Sequence, residues 1–302
     1  MGCGVQALGM TAASYDIARQ YAKERFQGPP FTNRRAERVP IIQHEDVRRM
    51  LMNLKAGTEA MRAMIGKLYY MIDVSEYDPD EAARKKAFSK VELLTPLVKA
   101  YISDLGYMLI RDAIQVLGGV GYCQEFPVEQ YARDCKIVSI WEGTNYIQAG
   151  DLVGRKLPLE GGQVYQDWIQ GIMDFAAQHK GDPDFGKDCE LLLKAAQDTN
   201  DFPTRYMQYF GGEKIKVVPL TITRFLDCFS ETLMANLMLE QGLVAREKLK
   251  GVKADSADGI FYRGKIETVK YFCRNILPNV FARHLTLELE DTSAVDIPEA
   301  AF

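Results

Sequence analysis

The chain has 302 residues, room for one large domain or two ordinary ones, with 47% hydrophobic and 26% charged residues and a net charge of −4. That slight acidity leaves no basic excess to neutralise phosphates, which excludes nucleic acid as a main partner, and neither sign of charge forms a long block. Cys3, Cys123, Cys135, Cys189, Cys228 and Cys273 are scattered without a CxxC pair, and none of His44, His179 and His284 is close to a cysteine or to another histidine, so reduced thiols in a cytoplasmic protein are expected and no metal site.

No membrane span is expected. The most apolar stretch read from the sequence, Val217 to Leu239, is interrupted by Arg224, Asp227 and Glu231. The N-terminus has no basic-then-apolar signal segment. Its MGCGVQ start lacks the Ser or Thr that a myristoylation site carries at the sixth position, where Gln6 stands.

Helical periodicity runs through nearly the whole chain. From Val47, the residues Met50, Leu51, Leu54, Met61, Met64, Ile65, Leu68 and Met71 keep the three-to-four spacing of one buried face, so the methionine stripe reads as core packing. A second helix is expected to start at Thr95-Pro96, a capping residue followed by a proline at the first helical position. It carries Leu97, Tyr101, Leu105, Met108 and Ile114 to a stop at Gly118-Gly119. Ile222, Leu226, Phe229, Leu233 and Leu237 mark a third, and Tyr262, Ile266, Val269, Cys273 and Ile276 a fourth. No run alternates strictly, so the class is all-α, a packed helical bundle. Gly, Pro and Asp gather at residues 27–40, 77–80, 118–127, 157–162, 181–186, 210–212 and 251–259, which predicts loops there. Residues 291–302 lack a period and read as an extended tail. Two domains are expected, 1–157 and a helical extension over 158–302.

The chemistry concentrates in residues 115–148, QVLGGVGYCQEFPVEQYARDCKIVSIWEGTNYIQ. After Gln115 the glycines Gly118, Gly119 and Gly121 form a turn that can bare backbone N–H groups to a close ligand. The same glycines also read as a helix C-cap and a tight turn. The run fits neither the dinucleotide fingerprint nor a P-loop, since it follows a helix. Further on, Glu142 follows the apolar run Ile137–Trp141, and Gly143 gives it backbone freedom. A carboxylate held against apolar surface can act as a general base near neutral pH. The alternative is a carboxylate that merely stands near a helix start capped by Thr144.

Taken together these residues resemble the signature of the acyl-CoA dehydrogenase family. Its elements stand here in order: Gln115, Gly118, Gly119, Gly121 and Tyr122; then Pro127, Val128 and Glu129; then Arg133, Asp134, Cys135, Lys136 and Ile137; then Trp141, Glu142, Gly143 and Thr144. Upstream, Tyr21-Ala22-Lys23-Glu24-Arg25 resembles the family's first helix end, and Gln43-His44-Glu45-Asp46-Val47 stands where its next helix begins. The loop between them is longer than usual, with Gln27-Gly28 in place of Q-F-G. The long stretch after Leu159 is similar to the larger branch that contains 3-methylthiopropanoyl-CoA dehydrogenase and long-chain relatives.

The resemblance implies an FAD-dependent oxidoreductase of fatty acid metabolism that desaturates an acyl-CoA at its α,β bond, with Glu142 as the base. Trp141 and Gly143 would line the acyl end of the substrate pocket. Arg25 and Gln27 would reach the pyrophosphate of a neighbouring subunit's FAD. Gln115, Gly118 and Gly119 would contact its adenosine half, and Thr144 the subunit's own cofactor. Arg25 can equally be a surface arginine at a helix C-terminus. Arg133 and Asp134 read as a structural ion pair or helix start, and His44 as a helix-start hydrogen-bonder. The family also implies an acyl-CoA substrate, an electron-transfer flavoprotein or similar acceptor, and a homodimer.

Complete members carry an N-terminal helical domain and a middle β-domain before this point, and Met1 falls inside what should be the first helix of the C-terminal domain. The expectation is therefore a fragment, a truncated frame, or one part of a split enzyme whose missing domains come from a separate subunit. A non-catalytic helical assembly domain that binds no flavin by itself is the alternative.

Overall fold

The structure, a computed structural model, describes residues 2–302, and Met1 lies outside the described residues. Among these the fold is all-α. The only extended pairing is an isolated antiparallel bridge between Phe26 and Pro40. The helices are α1 (Gly2–Glu24), α2 (Glu45–Tyr77), α3 (Glu81–Leu117), α4 (Val128–Val138), α5 (Asn145–Asp151), α6 (Gln163–His179), α7 (Gly186–Tyr209), α8 (Val217–Leu249), α9 (Ala257–Tyr271), α10 (Asn279–Glu288) and α11 (Ser293–Asp296). Contacts divide the chain into two compact units. The first holds residues 1–62 and 102–142, the second 63–101 and 143–302. This partition interleaves the chain rather than cutting it once, and the whole stretch 158–302 shares a unit with 63–101.

In the first unit, α1 packs on α4. Its buried side is Cys3, Gly4, Ala7, Thr11, Ser14, Ala18 and Ala22, a helical-period seam of small side chains. Small residues let helix backbones approach closely. A Cβ at Gly106 on α3 would lie 3.0 Å from Thr11 Oγ1 and 3.3 Å from Cys135 Sγ, so three helices meet there. Thr11 Oγ1 donates to the Ala7 carbonyl at 2.7 Å, which satisfies the buried hydroxyl.

The second unit is built on large aromatics. Tyr165 of α6 packs edge-on against Phe229 of α8 with ring centroids 5.2 Å apart, and Phe202 of α7 lies 5.8 Å from Phe225. Two carboxylates buried in this core are matched. Asp188, fully buried, accepts two bonds from Arg274 at 2.7 and 2.9 Å. Glu231 accepts from Tyr101 Oη and from Arg283 Nη1, both at 2.8 Å. Burial still holds the Glu231 carboxyl above its ordinary range, although Arg283 and Tyr101 pull it down.

Several expectations need correction. Thr95-Pro96 does not start a helix: α3 begins fourteen residues earlier and carries Pro96 inside it. Thr95 Oγ1 donates to the Val91 carbonyl at 2.8 Å instead of capping, and the buried apolar face continues on both sides of the proline. The tail is not simply extended. Asp291 Oδ1 accepts from the Ser293 amide at 3.1 Å and opens α11, and a 3₁₀ turn follows at Glu299–Ala301. Arg133 pairs with Glu129 at 3.0 Å, one helical turn back, and not with Asp134.

The membrane expectation also changes. The helical stretch Glu81–Tyr122 is long and apolar enough to cross a bilayer by length and composition, but 72% of its apolar window is buried inside the protein, as in a core helix. The stripe on α2 is core as expected at Met50, Met61 and Met64, whereas Met71 is half-buried.

Two helices end alike. α5 and α9 each widen into a π-helical segment, Leu152–Lys156 and Phe272–Ile276. Leu157 N then bonds Leu152 O and Leu277 N bonds Phe272 O, five residues back. A proline, Pro158 or Pro278, stands next and cannot donate to continue the ladder.

Candidate functional site

In the first unit a cleft of about 660 Å³ is lined by Tyr21, Arg25, Gln27, His44, Gln115 and Gly118-Gly119, among others. Its walls come from three places in the sequence. Arg25 follows the end of α1, and its carbonyl accepts from Ile41 N at 2.7 Å, which pins both ends of the long loop together. Gln27 N bonds Val39 O at 3.1 Å and Val39 N bonds Gly28 O at 3.0 Å, tightening the same neck. His44 Nε2 donates to the Gln27 carbonyl at 2.6 Å, so the imidazole fixes the neck. The helix-start role read for His44 thus extends to a bond seventeen residues back. The Arg25 side chain is exposed and makes no ion pair among the described residues.

The glycines of the opposite wall have separate reasons. Gly118 is left-handed at φ +67° and stops α3. A Cβ at Gly121 would come within 2.8 Å of the Ile114 carbonyl, so that glycine is required by packing on the helix end. At Gly119 neither reason applies: φ is not positive and a Cβ would meet nothing within 4 Å. The cleft thus brings together five of the expected cofactor residues, Arg25, Gln27, Gln115, Gly118 and Gly119. Glu142 is not among its lining residues.

The motif that carries Glu142 links α4 to α5. Trp141 N still bonds Ile137 O at 3.1 Å, closing the end of α4. Glu142 and Gly143 then take left-handed backbone angles, φ +55° and +84°. A glycine does so at little cost, but a glutamate is held about 1 kcal/mol or more uphill. A Cβ at Gly143 would sit 2.9 Å from Gln148 Nε2, the far end of a flexible side chain that can give way, so the positive φ is what favours glycine there. Thr144 caps α5, its Oγ1 accepting from Ile147 N at 3.4 Å. Trp141 is 44% exposed and Glu142 is exposed, so burial in this chain does not supply the desolvation expected of the base.

Two residues escaped the sequence reading. Lys99 is 4% exposed, and its Nζ donates to Asn145 Oδ1 at 3.0 Å. Asn145 Nδ2 in turn donates to the Ala100 carbonyl at 3.1 Å. The available signal was a lysine within the apolar run Leu97-Val98-Lys99-Ala100-Tyr101-Ile102.

Comparison with known proteins agrees with the fold and the motif. The family model for the acyl-CoA dehydrogenase C-terminal domain matches residues 1–157, and one described as acetyl-CoA dehydrogenase C-terminal like matches residues 168–298. A butyryl-CoA dehydrogenase of Syntrophomonas wolfei is 38% identical over 302 residues, all of this chain and 49% of that protein. A 3-methylmercaptopropionyl-CoA dehydrogenase of Ruegeria pomeroyi is 41% identical over 169 residues, 56% of this chain and 29% of its own length. The crystal structure of an acyl-CoA dehydrogenase complexed with FAD from Bacillus anthracis shares the fold at a TM-score of 0.70 and 19% identity, covering 99% of this chain and 49% of that one. The chain spans about half the length of the first of these relatives. With its family signature in order along residues 115–144 and the family's C-terminal domain matched over 1–157, the chain belongs to the acyl-CoA dehydrogenase family.

Proposed function

We propose that the chain forms the helical half of an FAD-dependent dehydrogenase that introduces an α,β double bond into an acyl-CoA thioester, with Glu142 as the α-proton base. The observation that carries this reading is the family signature in order along residues 115–144, with Glu142 in its Trp-Glu-Gly-Thr element. Glu142 stands there in left-handed backbone, as Glu160 and Glu290 do elsewhere in the chain. Family membership gives the reaction class, and the substrate's acyl length stays open.

The cleft fits an elongated phosphate-bearing cofactor. Arg25 offers a guanidinium without an ion pair, whose fork matches two phosphate oxygens. Gln27 and Gln115 add amide groups beside it, and Gly119 leaves open space that the fold itself does not require. FAD, when bound, supplies the acceptor for the hydride that leaves the β-carbon. This chain supplies the other half of the event. Glu142 takes the α-proton, the C–H pair becomes the new double bond, and the exposed faces of Trp141 and Gly143 orient the acyl end. Water has to be excluded from Glu142 by groups outside this chain, since the residue is exposed here. Thr144 contributes its cap to α5 first, and a cofactor contact from the same hydroxyl uses its free lone pair. An electron-transfer flavoprotein or similar acceptor and a second copy of the chain complete the proposed assembly.

The test is made on protein that also contains the family's N-terminal and middle domains. Glu142→Gln keeps the shape but cannot accept the proton, so turnover should fall at least ~10³-fold while flavin absorbance remains. Near-parental turnover in that variant would sink the base assignment. Absence of flavin from the assembled protein would favour the assembly-domain alternative.

A further inference from the structure

We infer that Lys99 and Asn145 form a buried clamp that positions the base-bearing turn, an inference that rests on the reading of Glu142 as the base. The bonds themselves lie in the second unit. Lys99 Nζ holds Asn145 Oδ1 at 3.0 Å, and Asn145 Nδ2 holds the Ala100 carbonyl at 3.1 Å. The amide is thus gripped at both ends by consecutive residues of α3 and cannot rotate without breaking one bond. Both side chains are buried, Lys99 at 4% and Asn145 at 9% exposure. A buried ammonium is costly unless its hydrogen bonds are made, so the bond's geometry is strongly specified.

Asn145 is the first residue of α5 and follows Thr144 directly. Two peptide units earlier the chain is in the left-handed pair Glu142-Gly143. Such a conformation persists only where its surroundings over-determine it. The neighbouring cap alone is modest, a 3.4 Å bond from Ile147 N to an exposed threonine. The clamp is a buried, two-ended restraint on the C-terminal side of the Glu142-Gly143 pair. Lys99 and Asn145 are therefore positioning residues. They act on Glu142 through the backbone of Gly143 and Thr144, and misplacement of a reacting group by about 1 Å costs on the order of 100-fold in rate.

The experiment uses the holoenzyme and compares Lys99→Met, Asn145→Ala, Lys99→Arg and Glu142→Gln. Lys99→Met removes the charge along with the bond, so no unpaired ammonium is left to threaten folding. Both breaking variants should lower kcat about 100-fold with KM within about twofold. Lys99→Arg should recover to within about fivefold of the parent. A second readout is independent of turnover. Amide exchange at Ile147 and Gln148, whose N–H groups bond Thr144, should quicken about tenfold while the aromatic core is unchanged. The inference is overturned if Lys99→Met or Asn145→Ala keeps parental kcat while Glu142→Gln abolishes it. It is equally overturned if faster exchange spreads through the chain, which marks a stability role. A turnover-competent Glu142→Gln would instead strike the base reading, and exchange at Ile147 and Gln148 would still judge the clamp.

Discussion

The two compact units place their charged groups differently. In the second, the buried carboxylates Glu231 and Asp188 are matched by Arg283 and Arg274 within a core rich in aromatic rings. In the first, an exposed arginine without an ion pair lines an open cleft together with Gln27, Gln115 and the Gly118-Gly119 turn. The difference teaches where to look for chemistry in a helical protein. Paired, buried charge marks what holds the fold, and polar groups gathered around an open cleft mark what the fold presents.

The comparison breaks most visibly at the buried pair. Arg283→Met leaves Glu231 buried without its cation and should cost about 3–5 kcal/mol in denaturant unfolding. Its pH dependence has a defined sign. Burial already raises the folded carboxyl of Glu231 above its unfolded value, and loss of Arg283 raises it further. Such a group stabilises below the unfolded value, and that contribution is lost as pH rises through the folded one. The penalty in Arg283→Met should therefore shrink when pH is lowered from about 7 to about 5. An equal penalty at both values would show that Glu231 is not the stranded charge.

A smaller effect is expected at the small-residue seam. Gly106→Val inserts a branched side chain where even a Cβ approaches Thr11 and Cys135, and should cost about 1–3 kcal/mol. A neutral result would mean that α1 and α3 can separate freely. The smallest effect has the opposite sign. Glu142→Gly relieves the left-handed strain and should leave stability unchanged or raise it by about 1 kcal/mol, while removing the base. A destabilised Glu142→Gly would assign the glutamate a structural role.

The legibility of the sequence follows the same division. The helices α2 and α8 were readable because large apolar residues recur at helical spacing on their buried sides. The helix α1 showed no such stripe, because its buried side is Ala, Ser, Thr, Gly and Cys, which signal close approach rather than hydrophobic bulk. Thr95-Pro96 misled because capping chemistry is local, whereas the continuous buried face of α3 is set by tertiary contacts. At the site, Arg25, Gln27, Gln115, Gly118 and Gly119 were found through the family resemblance, and the structure places them on one cleft. Spacing could not separate Gly121, demanded by the Ile114 carbonyl, from Gly119, which the fold leaves free. Nor could it reveal the Lys99–Asn145 bond, whose partners stand 46 residues apart.

The central claim is that Glu142 removes the α-proton, and isotope exchange at that carbon reads it without relying on overall turnover. The assembled enzyme would be incubated in D₂O with an acyl-CoA whose β-carbon cannot yield hydride, and deuterium at the α-carbon followed by mass spectrometry. The account predicts exchange catalysed by the parent enzyme and reduced at least ~10³-fold in Glu142→Gln with the cofactor still bound. Exchange at the parental rate in Glu142→Gln would contradict it.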